Sequence, residues 1–472
     1  MFFHQRLVPG LAAYTYLVGD EKTHRCAVID PTRDIEDLID VATKKGLRIT
    51  DILETHVHAD FVSGAVELKA RLGGEPVIHC SGLGGREWTP LYADRVVSNG
   101  DEIDLGSIRL QALHTPGHTP EHVSWQLFDD SRSKETPWLV FTGDFVFIGD
   151  VGRPDLLGKE QLHGLARQLY TSVFQTAAGL PDYTEIYPSH GAGSLCGKAI
   201  GSRGSSTWGF ERHFSPAFQQ RPEREWIEER LAGMPESPPY FARMKKINRE
   251  GPKVLGKTLP GHEALDPRDV ADTGKNALVV DLRTEEEFAR EHVPGSMNLP
   301  LHPNLSTWAG WSLPPDVPLV LLPPASEDVP AIAAHLVRVG FDSIRGHLAG
   351  GLAAWKKEGL PTTSLTILSP TELARRLEEP GDTVELVDVR TEAEWQRGHL
   401  EGARNVPLHR IAAAASTLPR DKTIAVVCGT GYRSSIAASL LQRDGIEDVL
   451  HLRGGMAAWG ATPAACSART PS

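Results

Sequence analysis

The segment "LETHVHADFVSG" (residues 53–64) spaces His56, His58 and Asp60 two residues apart after an apolar run. On extended backbone residues i and i+2 point the same way, so these side chains can face one pocket as metal ligands. Among 19 histidines, an HxH pair alone says little. Three later stretches add weight. "HTPGHTPEH" offers His118 after a glycine-bearing turn, "LVFTGD" ends an apolar strand on Asp144, and "EIYPSHG" ends another on His190. A carboxylate closing a buried strand needs a partner or a metal. Four strand-to-loop junctions carrying His or Asp therefore predict a metal centre. His114 and His122 flank His118 and are expected to be local hydrogen-bond partners rather than ligands. Phe61 stands where a further ligand would be useful, and a phenyl ring cannot ligate. The residues alone leave three options: a two-metal site that lost one ion, a site for a single different metal, or a decayed site.

A second constellation lies in "CGTGYRSS" (428–435), between the buried strand "TIAVVC" and a helix, "SSIAASLLQRDG". Backbone N–H groups and the dipole of a helix N-terminus converge on such a loop and favour an anion. A thiol placed there becomes a thiolate nucleophile, which assigns catalysis to Cys428. Gly429 and Gly431 let the loop curl, and Arg433 can pair with an anionic substrate. Ser434 completes the expected anion-binding set. Cys196, in "SHGAGSLCGKAIG", follows His190 by six residues. It is read as a packing residue, with sulfur handling beside the metal as the alternative. Cys26, Cys80 and Cys466 carry no functional expectation.

These residues need elements to hold them. "LVVDLRTEEEFAREHVPGSMNLPL" (278–301) recurs as "ELVDVRTEAEWQRGHLEGARNVPL" (385–408), and "GGLAAW" (350–355) recurs as "GGMAAW" (454–459). A repeat of about a hundred residues, with strands alternating with helices, predicts two α/β domains with parallel sheets covered on both faces. Their expected limits are 263–362 and 363–465. Where the second copy has "VVCGTGYRSS", the first has "VLLPPASEDVP". Pro323 or Pro324 replaces the cysteine, removes an N–H from the cradle and cannot attack sulfur. The first copy is therefore read as non-catalytic, serving packing or positioning. Residues 1–215 alternate short β-rich runs with helical stretches, which predicts two packed sheets with helices outside. Residues 216–262 are expected to be a connector holding one charged helix (about 223–232) and packing along a domain surface.

At 472 residues the chain fits about three domains. Its net charge of −12 argues against a nucleic-acid partner. Five scattered cysteines without a CxxC pair suit a reducing cytosol, and neither a secretory signal nor a membrane-length apolar run is read. A cytoplasmic homo-oligomer is the expectation.

The set THxHxD, TPGHT, FTGD and PSHG resembles the metallo-β-lactamase superfamily, an αββα sandwich with metals at the sheet edges. Within it, Phe61 replaces the histidine of two-metal hydrolases of the glyoxalase II type. The pattern is similar to the persulfide dioxygenase branch, and "GDFVFIGDVGRPD" is also like that branch. The resemblance implies one Fe(II) held by His56, His118 and Asp144, two histidines and a carboxylate being a ligand set of dioxygen-activating iron. It makes His58, Asp60 and His190 groups that hold iron-bound water or orient the ligands, and it places Arg153 near the substrate's anionic group. "HGA" (190–192) replaces the "HDY" of glutathione-using relatives, which leaves the thiol carrier open. "VDVRTEAEW", "GHLEGARNVPL" and the cysteine loop resemble a rhodanese, implying a Cys428 persulfide and an Arg433 that binds the sulfur donor's anion.

The combined expectation is a persulfide dioxygenase fused to two rhodanese domains. It would use a small thiol persulfide, O₂ and thiosulfate or sulfite in sulfide detoxification. The alternatives are a zinc-dependent thioester hydrolase with an attached sulfurtransferase, and a non-catalytic sulfur-carrier or sensing scaffold. The direction of sulfur transfer, and any channelling between the sites, are not legible in the sequence.

Overall fold

In strand Arg25–Ile29, Cys26 and Val28 pack with Leu38, Ala42 and Leu68 of two helices, whereas Ala27 and Ile29 join Trp125, Leu127 and Phe141. The period-two alternation gives the strand two apolar faces, so it lies inside a layered structure. Strand Leu139–Gly143 repeats the pattern: Leu139 and Phe141 face inward, and Val140 packs outward with Leu169, Ile186 and Trp208. The computed structural model, which describes residues 1–379 and 383–461, thus builds an αββα sandwich from two six-stranded mixed sheets. Both sheets follow chain order, one from Phe2–Val8 to Arg95–Val97, the other from Glu102–Asp104 to Ser206–Thr207. Cys466 lies outside the described residues.

The chain forms two compact units. The first is Met1–Lys257 with Val337–Gly340, and the second holds the remainder from Thr258. The first unit therefore extends well past residue 215, which corrects the expectation of a connector starting there. Two helices rather than one follow, Glu223–Leu231 and Phe241–Glu250. Trp226 and Ile227 enter the same core as Leu169 and Trp208, while Phe241 and Met244 are buried on the second helix. Phe241, Met244 and Ile247 at three-residue spacing were the legible sign of that helix. Arg and Lys between them obscured it.

In the second unit, the repeat becomes two five-stranded sheets in which every pairing is parallel. Corresponding strands take corresponding places. Ala264–Leu265, Ile344–Leu348, Leu319–Leu322, Leu278–Asp281 and Met297–Asn298 match Thr366–Leu368, Val449–Leu452, Thr423–Val427, Val384–Asp388 and Arg404–Asn405. Each copy pairs the strand-end Asp with the Arg two residues on (Asp281–Arg283, Asp388–Arg390). Each also starts its next helix with a capping box, Thr284/Glu287 or Thr391/Glu394. Asp281 pairs with Leu322 as Asp388 pairs with Val427, so Pro323 is the residue standing in the Cys428 position.

Candidate metal centre and sulfur-transfer loop

Sequence-distant strand ends carry the candidate ligands. Strand Arg48–Leu53 leads into His56, the turn after Ile108–His114 carries His118, and strand Leu139–Gly143 ends against Asp144. Gly143 takes φ +55°, where a Cβ would lie 2.4 Å from His122 Nε2, so the bend that delivers Asp144 needs glycine. His56 Nε2 and His118 Nε2 stand 3.7 and 3.4 Å from Asp144 Oδ2.

Hydrogen bonding on the far side of each group fixes which atom remains free. Thr55 Oγ1 gives its single proton to Asp30 Oδ2, so it accepts from His56 Nδ1–H at 2.9 Å. His118 Nδ1–H donates to the Arg153 carbonyl at 3.0 Å. Asp144 Oδ1 accepts from His190 Nδ1 at 2.7 Å. Left over are His56 Nε2, His118 Nε2 and Asp144 Oδ2, all buried and without a hydrogen-bond partner. Three unpartnered lone-pair atoms on one point would be costly in a folded protein, and a divalent cation satisfies all three. The donor set fits a two-histidine, one-carboxylate metal site. Burial keeps His56 and His118 below the usual histidine range, so both are neutral donors. Burial alone would raise Asp144, but the charge and hydrogen bond of His190 hold it well below the carboxylate range.

The residues expected behind the ligands separate into two groups. His190 donates from both nitrogens, to Asp144 and to Asp60 Oδ2 at 2.8 Å, and is therefore an imidazolium. Burial opposes that charge, but the two carboxylates lift its pKa well above the ordinary value. His58 instead turns to Asp30 Oδ1 (3.1 Å) and Glu54 Oε2 (3.4 Å). Phe61 stacks on its ring with centroids 4.3 Å apart. His122 accepts the Asp144 backbone N–H on Nε2, and His114 donates to the Pro120 carbonyl, so both are local partners. Cys196 lies with Asp60 and His190, their ligand-type atoms all within 4.8 Å of one another. Burial pushes its thiol up to about 12.

Arg153 departs from its expected role. Its fully buried guanidinium binds Asp155 in a fork and donates to the carbonyls of Leu195 and Pro235. These bonds engage four of its five N–H groups within the protein. Its contribution to the site is the carbonyl that orients His118. The sequence reading missed Asp30, at φ +50°, which accepts from Thr55 N–H, Thr55 Oγ1 and Ser189 Oγ and so ties the His56 and His190 segments together. "CAVID" ending a strand on Asp was the same signal that exposed Asp144.

Cys428 leaves strand Thr423–Val427 and precedes helix Tyr432–Arg443. Gly431, at φ +111°, turns its N–H onto Cys428 Sγ at 3.1 Å. Ser434 Oγ lies 3.5 Å from the sulfur and 3.3 Å from His451 Nδ1, and donates to the Gly431 carbonyl. Met456 and Ala457 N–H groups fasten the Cys428 and Gly429 carbonyls, where a Cβ on Gly455 would come within 2.3 Å of the Cys428 oxygen. The repeated glycine pair thus pins the Cys428 loop. Arg433 is held in a fork by Glu394, 2.7 Å at each nitrogen. Burial would raise that carboxyl, but Arg433 brings it down to about 2. The first copy walls the same loop: Tyr432 Oη donates to the Pro300 carbonyl, and Trp308 lies 5.6 Å from the Arg433 guanidinium. His451 and Trp308 carried no sequence signal of their own, and Glu394 only that of a helix cap.

Comparison with known proteins agrees with this architecture. The model of the metallo-beta-lactamase superfamily matches residues 8–190, and that of the rhodanese-like domain matches 267–358 and 369–462. The mitochondrial persulfide dioxygenase ETHE1 of Bos taurus is 34% identical over 192 residues, spanning 40% of this chain and 68% of the relative. A cytoplasmic hydroxyacylglutathione hydrolase of Arabidopsis thaliana is 36% identical over 178 residues, spanning 38% of this chain and 63% of that protein. The crystal structure of a metallo-beta-lactamase from Staphylococcus aureus subsp. aureus COL superposes with TM-score 0.64 at 35% identity, covering 73% of this chain and 98% of the other. With its ligand junctions on an αββα sandwich and one intact cysteine loop behind it, this chain belongs to the metallo-beta-lactamase superfamily, as a fusion in which a domain with persulfide dioxygenase relatives precedes two rhodanese-like domains.

Proposed function

We propose that the chain oxidises a low-molecular-weight thiol persulfide at one Fe(II), and moves sulfane sulfur through Cys428. The observation that carries the first half is the set of three unpartnered atoms on His56, His118 and Asp144. His58 is turned away and position 61 is phenylalanine, which supports a single ion with open coordination positions. Iron in that site would supply binding and activation of O₂ and of the persulfide sulfur. The balance is R–S–SH + O₂ + H₂O giving R–SH, sulfite and two protons. The outer sulfur loses four electrons and O₂ gains them. The chain's own part is to keep His56 and His118 neutral by burial, to fix their tautomers through Thr55 and the Arg153 carbonyl, to fix Asp144 through His190, and to exclude bulk water.

At the second site, the Cys428 thiolate attacks the outer sulfur of thiosulfate. The S–S bond breaks, sulfite leaves with the electron pair, and Cys428 holds a persulfide. A thiol then takes that sulfur, restoring Cys428. Gly431 N–H donates to the Cys428 sulfur, and the N-terminus of helix Tyr432–Arg443 follows directly. Sulfite from the metal centre is the natural acceptor for the reverse direction. The described cysteines Cys26, Cys80, Cys196 and Cys428 are all free, which supports a reducing cytosol as the location.

The second reading, a zinc thioester hydrolase, has the Arabidopsis relative in its favour. The test is O₂ uptake by iron-loaded protein across glutathione, coenzyme A and other thiol persulfides, beside thioester hydrolysis by zinc-loaded protein. Persulfide-dependent uptake without hydrolysis supports the dioxygenase, and the opposite result removes it.

A further inference from the structure

Helix Phe241–Glu250 lies beyond residues 8–190, the span matched by the superfamily model, yet it reaches the metal loop. Asn248, 1% exposed, spends its whole side chain there. Nδ2 donates to the His58 carbonyl at 2.8 Å and the Phe61 carbonyl at 2.7 Å, and Oδ1 accepts from Ser63 N–H at 2.8 Å. These bonds cross 185 to 190 residues of chain. They satisfy three backbone groups of an irregular buried loop. Between the clamped carbonyls lies Asp60, whose Oδ2 holds His190, whose Nδ1–H holds Asp144. An unbroken chain of hydrogen bonds and backbone therefore runs from Asn248 to the carboxylate that offers Oδ2 to the metal.

We propose that Asn248 is a positioning residue for the metal centre, acting through Asp60 and His190 on the aim of Asp144. The proposal rests on the assignment of His56, His118 and Asp144 as ligands, and not on which reaction the metal performs. An amide is the side chain the task requires: two donors for two carbonyls and one acceptor for an N–H. A carboxylate of the same shape keeps the acceptor and loses both donors. The effect of an outer hydrogen-bond partner on metal affinity is about 10- to 100-fold.

The test uses the full chain with Co(II) as the probe, read by affinity and by the visible ligand-field bands. Asn248→Ala and Asn248→Asp are each expected to weaken Co(II) binding by about 10-fold or more and to shift the bands. Met244→Leu, on the same helix and buried but absent from these hydrogen bonds, is expected to alter Tm and leave affinity and bands unchanged. In a double-mutant cycle, Asn248→Ala is expected to cost much less affinity when Asp60 is already Asn, since the two share one path. Should Asn248→Ala fail to fold, Asn248→Asp carries the cycle. Wild-type affinity and bands in a folded Asn248 variant, or additive effects with Asp60→Asn, overturn the proposal. Because no turnover is measured, a chain that proved to be a zinc hydrolase would leave this result standing.

Discussion

His190 Nδ1 lies 2.7 Å from Asp144 Oδ1, and that contact decides which Asp144 oxygen is left for a metal. The other nitrogen of His190 is taken by Asp60 at 2.8 Å. A residue of a type that could ligate an ion is thus spent orienting Asp144. His190→Gln, which offers no second donor in line with Asp60, is expected to weaken metal binding by about 10- to 100-fold with little change in fold. Metal retained after dialysis, set beside the far-UV circular dichroism spectrum, checks it.

Phe61 stacks on the His58 ring, which lies against Asp30 and Glu54. Phe61→His is expected to raise the metal-to-chain ratio from one toward two and to lower persulfide-dependent O₂ uptake. Elemental analysis of the variant, loaded and desalted beside the wild type, reads the ratio directly.

Cys428 and the candidate metal ligands sit on separate domains. Cys428→Ser is expected to abolish thiosulfate sulfurtransfer and leave persulfide-dependent O₂ uptake intact. Loss of both activities in a folded variant would contradict the division of labour.

Glu394 has its pKa brought to about 2 in the folded chain, against an ordinary value of 4.5. A depressed carboxyl contributes stability that is complete above the ordinary value and is lost as pH falls through the folded one. Glu394→Gln is therefore expected to be less stable than wild type at pH 6, with the gap closing between about pH 4.5 and pH 2. Urea denaturation of both proteins across that window measures it.

Trp226, buried among Tyr170, Phe174 and the sandwich's outer helices, makes the segment after residue 215 part of the first unit. Trp226→Ala is expected to cost about 3–5 kcal/mol, the usual range for removing a buried large aromatic. Thermal and urea unfolding of the first unit are the measurements.

Legibility followed the physics of each feature. Asp144 and His190 stood out because an apolar run stops on them, and His118 and Cys428 because they sit in glycine-bearing turns next to such runs. The rhodanese repeat was visible because both copies keep the strand-end Asp–Arg pair and the helix caps, which are local in sequence. Asn248, Arg153 and His451 act through contacts with residues far along the chain or through their own backbone. Their roles depend on which segments meet, and no spacing records that. The resemblance to the persulfide dioxygenase branch placed Arg153 near a substrate anion, whereas in this chain Asp155 takes the guanidinium.

The most direct test of the central claim is O₂ consumption per persulfide in protein carrying one iron per chain. The account predicts one O₂ taken up and one sulfite formed for each persulfide, with uptake lost in His118→Ala and kept in Cys428→Ser. Full activity with zinc in place of iron, or sulfur oxidation that survives loss of His118, would contradict it.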